Sequence, residues 1–333
     1  MKSFGPHTII ENGSLYQAAE LAVTTHWRGT RWGNNVQAYV WPMIAWLQQE
    51  KSVRDLDDIT PAVLSEFVDH CQYRLRNSKQ TITHKRSALR TLFAVAQKNG
   101  LTRIAMPAVD VPRGNRTKTL NNAWWLRPDL VPFVVKQLIA SGHRPLALYI
   151  LWVVYTGTRV EENLRLQFNH LSRDGHSLWV PGTKNDKSAA TIPISAAAKA
   201  IYDAIRADTE GDYMFPISLD ALRYLFKTHF IPLIKSTLTK GQRPSLRDLR
   251  ATFASTQHLK GMPTSILQQL LRHGKIETTM GYIRRTGDLQ QMAALTYLNA
   301  DTKEEAQVKL ADFVKSIGWS TEELKRELRR KRN

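Results

Sequence analysis

Four short stretches hold side chains whose types and spacing could do chemistry on a phosphodiester. The first is Tyr155-Thr156-Gly157-Thr158-Arg159-Val160-Glu161-Glu162, where a glycine breaks one helix just before an arginine that opens the next. Such a junction can present a guanidinium and nearby backbone N–H groups to an anion. The second is Lys184, in the polar turn Gly182-Thr183-Lys184-Asn185-Asp186-Lys187. The third is Arg247-Asp248-Leu249-Arg250-Ala251-Thr252-Phe253-Ala254. Arg247 and Arg250 share a helical face there, with Leu249 and Phe253 turned inward. The fourth runs from Leu271 through His273 to Tyr282, a histidine followed nine residues later by a tyrosine. Alone, each has an ordinary reading: a surface arginine, a turn lysine, a helix-face pair, a half-buried packing tyrosine. Together they suit phosphoryl transfer. A tyrosine oxygen can attack a phosphodiester and form a covalent phosphotyrosine. Arginines can carry the charge that develops on phosphorus without ever deprotonating. A lysine can protonate the departing 5′-oxygen, and an imidazole can hydrogen-bond the phosphate.

These groups need a scaffold, and the pattern of the chain is mainly helical. Residues 14–100 read as helices, with Val36, Val40, Ile44 and Leu47 at helical spacing. Thr60-Pro61 is a start signal for a helix running to about Leu75. Another spans about Ser78 to Asn99 and stops at Gly100. Its apolar stripe is Ile82, Leu89, Phe93 and Ala96. A second stripe holds Lys79, Thr83, Arg86 and Arg90, and the helix has no acidic residue, which suits contact with phosphates. Periodicity fails from Arg103 to Asn122, where two prolines, a glycine and several cations read as a linker. From about Leu126 to Asn299 the pattern is again helical, near 195–207, 218–236, 248–259 and 263–271. It is interrupted by two β-prone runs, 178–181 and 190–194, that read as a hairpin with Lys184 at its tip. Residues 301–333 read as two short helices, the second opened by the capping box Ser320-Thr321-Glu322-Glu323. The expected division is a helical domain over 1–102, a basic linker over 103–122, a mixed, mostly helical domain over 123–300, and a basic tail over 301–333. The fold class is mainly α (α+β) with one small β-sheet.

Charge narrows the partner. The 333 residues carry 47 Lys and Arg against 29 Asp and Glu, a net charge of +18. The excess is +7 over 1–120, +9 over 121–300 and +2 over 301–333, so it is not one basic tail. A field that broad suits a long polyanion held between two bodies. An apolar content of 42% excludes disorder throughout. The single cysteine, Cys71, cannot form an internal disulfide, and no Cys/His pair has zinc-ligand spacing. No apolar run approaches the length of a membrane span, and Met1 to His7 shows no signal region. The expectation is a reduced, metal-independent chain of the cytosol.

The four stretches, in this order and spacing, resemble the catalytic domain of the tyrosine recombinase (phage integrase) family. That family's pattern is T-G-x-R-x-x-E, a hairpin lysine, H-x-L-R-x-T-F-A and L-G-H-x-x-I-x-T-T-x-x-Y. Residues 14–100 also resemble its core-binding domain, so the likeness extends over about 14–299. It implies Tyr282 as nucleophile, Arg159 and Arg250 as the grip on the scissile phosphate, and Lys184 as general acid. It further implies His273 as the histidine of the last box and Glu162 as support for the first arginine. Two positions depart. Arg247 stands where the family has histidine; arginine cannot act as a base near neutral pH, though it could bond a phosphate oxygen or ease deprotonation of the tyrosine. Arg272 stands where the family has glycine, adding a cation expected to lie near DNA.

The resemblance implies a site-specific recombinase that clamps duplex DNA between two domains and assembles as a homotetramer on two sites. Strands would be exchanged through a 3′-phosphotyrosine and a Holliday junction, with no nucleotide cofactor and no metal. Integration, excision, inversion or dimer resolution of a mobile element all fit, with accessory DNA-bending or directionality proteins as further partners. The protein would be bacterial, or encoded by a phage or mobile element. About 13 residues precede the first helix, which suggests an architecture like that of Xer- or Cre-type enzymes. A monomeric type IB topoisomerase-like enzyme and a catalytically silent DNA-binding regulator are the alternatives. For the tail, the two readings are a hairpin packed on its own domain and one that docks on a neighbouring protomer or DNA. The segment from Asp288 to Asn299, with Met292, Leu295 and Leu298, is a candidate docking helix.

Overall fold

A computed structural model describes residues 2–4, 7–111, 124–182, 189–239, 241–283 and 319–329. By contacts the chain separates into Met1–Asn115 and Arg116–Asn333.

In the first unit, β1 (Lys2–Phe4) and β2 (His7–Ile9) pair antiparallel, with Ser3 opposite Thr8. Four helices follow: α1 (Gly13–Leu21), α2 (Arg31–Lys51), α3 (Pro61–Asp69) and α4 (Lys79–Lys98). The start signals act as their chemistry requires. Thr60 Oγ1 accepts the Val63 N–H at 3.2 Å, and Ser78 Oγ accepts the Thr81 N–H at 3.1 Å. A wider π-helical turn, His70–Arg74, carries α3 on to Leu75. Ile82, Leu89, Phe93 and Ala96 of α4 are all buried, packed with Leu47, Trp41 and Trp46 of α2. Each large apolar side chain buried there contributes about 1.5–3 kcal/mol. The β1–β2 hairpin was not expected from the sequence. What holds its end is a tertiary amide clamp: the Ile10 N–H donates to Gln48 Oε1 at 2.9 Å, and Gln48 Nε2 donates to the Ile10 carbonyl at 2.9 Å.

The second unit is built around α6 (Arg144–Thr156), whose residues from Leu146 to Val154 are buried on every face. α5 (Val131–Ala140) packs beside it, and α7 (Val160–Asn163) begins after the break at Gly157. β3 (Ser177–Val180) and β4 (Ala190–Pro193) form the expected antiparallel pair, with Leu178 opposite Ile192. Then come α8 (Ala196–Asp208), α9 (Leu219–Leu225), α10 (Ile231–Ile234), α11 (Leu246–Leu259), α12 (Thr264–Leu270) and α13 (Ile276–Ile283). A π-helical turn, Phe226–Phe230, joins α9 to α10.

The last helix, α14 (Thr321–Arg329), starts at the capping box: the Glu323 N–H donates to Ser320 Oγ, and the Ser320 N–H to Glu323 Oε2. Leu324 and Leu328 are buried in the main core of this unit against α8. Arg144 Nη2 donates to the Leu328 carbonyl at 3.2 Å, and Lys136 lies over the Trp319 ring. The second tail helix therefore packs on its own domain and does not offer its apolar stripe to a neighbour. Asp288 to Asn299, the first tail helix and the hairpin tip with Lys184 lie outside the described residues.

Candidate active site

The break at Gly157 is a steric necessity. Its φ of +65° caps α6 in the left-handed region, with its N–H on the Val153 carbonyl at 2.8 Å. A Cβ there would also lie 2.4 Å from Phe253 Cδ1. The same residue's carbonyl accepts Arg250 Nη1 at 2.6 Å. Two of the sequence stretches thus lock together through one glycine.

Arg159 follows as the N-cap of α7. Its N–H and its Nη1 donate to the two oxygens of Glu162, at 2.7 and 2.6 Å. Its Nη2 lies 3.3 Å from the Arg272 carbonyl. Glu162 is completely buried. Arg250, on α11, is only 3% exposed and also donates to the Leu271 carbonyl. Burial, then the neighbouring charges of Arg159 and Arg272, push its pKa down to about 9, so it remains a cation at neutral pH.

His273 lies where these elements meet. Arg250 Nη2 is 3.2 Å from His273 Nε2, and His273 Nδ1 is 2.9 Å from Thr279 Oγ1. A guanidinium only donates, so Nε2 must accept, which leaves the proton on Nδ1, donated to the threonine. The ring is therefore neutral. Burial, then Arg250, Arg159, Arg272 and Arg247, pull its pKa down to about 3. It stacks on Tyr282 with centroids 5.4 Å apart and 11° between the planes.

Tyr282 is 7% exposed, set in a small separate core with Phe253, Leu267 and Leu271. Ser255 Oγ donates to the Tyr282 carbonyl at 3.3 Å, tying α13 to α11. Arg247, in the first turn of α11, lines the cleft with Tyr282, and hydrogen bonding and attraction to the tyrosine oxygen hold its guanidinium above the usual arginine range. The departure from histidine thus puts a permanent cation on the tyrosine oxygen.

Arg159, Arg247, Arg250, His273 and Tyr282 all line one cleft of about 690 Å³. Residues not singled out from the sequence line it too. Arg223 and Lys227 come from α9 and its π-helical extension, and their four-residue spacing was a legible signal. Thr279, which accepts the Nδ1 proton of His273, had no signal beyond its place in the motif. Among the described residues, no cluster of three or more His, Cys, Asp or Glu could hold a metal ion.

Residues 128–287 match the model of the phage integrase family. Over that span the chain is similar to this family. Solved structures with a similar fold include a lambda integrase dimer bound to a COC′ core site, with 18% identity over 83% of this chain and 96% of that one, at a TM-score of 0.62. A lambda integrase tetramer bound to a Holliday junction aligns with 16% identity over 84% and 79%, at a TM-score of 0.64. XerH recombinase bound to palindromic difH substrate aligns with 18% identity over 78% and 79%, at a TM-score of 0.57. At such identities the likeness is one of fold. No curated protein matches by sequence.

Of the residues expected to bind DNA, four lie on α4 of the first unit and one, Arg272, in the second. Lys79 and Arg90 are exposed on α4. Thr83 Oγ1 donates back to the Lys79 carbonyl, and Arg86 Nη1 to the Val109 carbonyl at 3.3 Å, so Arg86 is half-buried. Arg272 needs correction. It was expected as a cation near DNA, but its side chain is buried and paired with Glu162 at 2.6 Å. The buried carboxylate draws it inward.

Proposed function

We propose that the chain is a site-specific DNA recombinase that cleaves and rejoins duplex strands through a covalent 3′-phosphotyrosine at Tyr282. The observation that carries this reading is the convergence of Tyr282, Arg247, Arg250, Arg159 and His273 on one cleft. The Tyr282 oxygen attacks phosphorus, a P–Otyrosine bond forms, and the bond to the 5′-oxygen breaks. Arg247 stabilises the charge on the phenol oxygen as its proton passes to solvent water. Arg159 and Arg250 take the charge of the phosphorane, where one well-aimed donor is worth about 3–4 kcal/mol. Lys184 gives the departing 5′-oxygen its proton. The 5′-hydroxyl of a partner duplex then attacks the phosphotyrosine, which frees Tyr282 and joins the new strand. Energy stays in the tyrosyl bond, so no cofactor enters.

The first unit serves as the second jaw on DNA. Between Asp69 and Asp110 the chain holds eight Lys and Arg and no acidic residue. Such a stretch favours a phosphate backbone. Four protomers act on two sites, and the fold shared with a tetramer on a Holliday junction supports that assembly. The exchange serves integration, excision, inversion or resolution of a mobile element. No helix among the described residues is long and apolar enough to cross a membrane.

A nicked duplex carrying the target site, recovered from the DNA flanking the encoding gene, tests the reading. The parent should form an adduct that survives denaturant, and Tyr282→Phe should bind the duplex equally well and form none. An adduct with the Phe variant would put the nucleophile elsewhere. Product joined to a second duplex is expected of a recombinase and not of a relaxing enzyme.

A further inference from the structure

Arg272 sits in the left-handed backbone region, at φ +54°. A side chain there is strained where glycine would not be. The Arg272 side chain is 9% exposed, and Nη2 donates to Glu162 Oε2. Nε and Nη1 are buried as well and have no partner among the described residues. Burial, opposed first by the charge of Glu162, lowers its pKa. A buried guanidinium with two unused donors on a strained backbone is a costly arrangement. Costs of this kind gather at functional sites.

Glu162 explains what the cost achieves. Its carboxylate takes the backbone N–H and Nη1 of Arg159 and also Nη2 of Arg272. With Arg159 as its only partner, the pair would be close to neutral and its field in the cleft weak. With Arg272 the group of three carries a net positive charge. Arg272 also anchors the loop whose carbonyls accept Arg159 and Arg250 and whose imidazole stacks on Tyr282.

We propose that Arg272 is a positioning residue for strand cleavage: it offsets Glu162, so that Arg159 meets the scissile phosphate as a full cation, and it holds the loop bearing His273. The proposal rests on the recombinase reading. Glu162 orients Arg159, and Arg272 removes the electrostatic penalty of that orientation.

The experiment compares Arg272→Met, Arg272→Gly and Arg272→Lys with the parent in single-turnover adduct formation on the nicked duplex, with DNA affinity and thermal stability measured alongside. Met and Gly should slow adduct formation at saturating DNA by tenfold or more, with affinity within twofold. Gly, freed of strain, should melt no lower than Met. Lys, which keeps the charge, should recover most of the rate. Glu162→Gln placed on the Met background should also recover part of it, since the carboxylate left uncompensated is then gone. Met or Gly variants as fast as the parent would overturn the proposal. So would a Lys variant no faster than Met, or a slowing matched by an equal loss of affinity. A parent that forms no adduct sinks the recombinase reading and this proposal with it. A normal parent with unaltered variants sinks the proposal alone.

Discussion

His273 should add no titration limb to the cleavage rate of this protein between about pH 5 and 8. An ordinary imidazole has a pKa near 6.5 and is about three-quarters protonated at pH 6. Burial and four arginines lower that of His273 to about 3. At pH 6 about one molecule in 1000 is then protonated, so crossing the neutral range changes nothing on this ring. Arg247, at the position where the family has a histidine, stays charged throughout. The assay is adduct formation at limiting DNA and constant ionic strength, which reports the free protein. A limb with a midpoint between pH 6 and 7 in the parent would show that the arginines do not suppress His273. Arg247→His should introduce such a limb. Stability carries the same signature with a definite sign. Between about pH 3 and 6.5 the unfolded chain binds a proton that the folded chain does not. Stability is therefore full above 6.5 and falls as pH drops, with a slope of at most about 1.4 kcal/mol per unit. At pH 5 the loss is about 2 kcal/mol, less whatever solvent screens from this half-buried ring. His273→Gln should remove that part of the pH dependence, and an unchanged pH dependence would refute the assignment.

Further outcomes follow from particular contacts. Gly157→Ala meets both a positive φ and Phe253 at 2.4 Å, so it should cost about 1–3 kcal/mol or more in chemical denaturation and slow cleavage by shifting the acceptor of Arg250; parent-like stability would contradict the geometry. Arg247→Ala should slow adduct formation by about 10²–10³, and an unchanged rate would remove Arg247 from the reaction. Neutralising the exposed Lys79 and Arg90 should lower the slope of log affinity against log salt by about 1.8, at about 0.9 for each phosphate contact; an unchanged slope would return that stripe to solvent. Leu324→Ala opens a fully buried site in the core of the second unit and should cost about 2–5 kcal/mol, with cleavage and recombination falling together. Loss of recombination alone, at full stability, would revive a docking role for the tail.

The sequence by itself determined what is local. Thr60-Pro61, Ser78, Ser320-Glu323 and the glycine before Arg159 each act within four residues, where caps and turns are decided by neighbouring atoms. The buried stripe of α4 follows from a 3.6-residue period, and the β3–β4 pair from two β-prone runs around a polar turn. The order and spacing of Arg159, Arg247, Arg250, His273 and Tyr282 were equally legible. Their physical state was not, because charge and burial are sums over neighbours distant in the chain. The neutral ring of His273 depends on arginines from three separate stretches. Gln48 secures the end of the N-terminal hairpin from 38 residues away. Arg272 reads as one more cation for DNA until Glu162, 110 residues earlier, turns it inward. Only the folded chain brings that carboxylate, wholly out of water, within 2.6 Å of both guanidinium groups, and a buried negative charge must be paired.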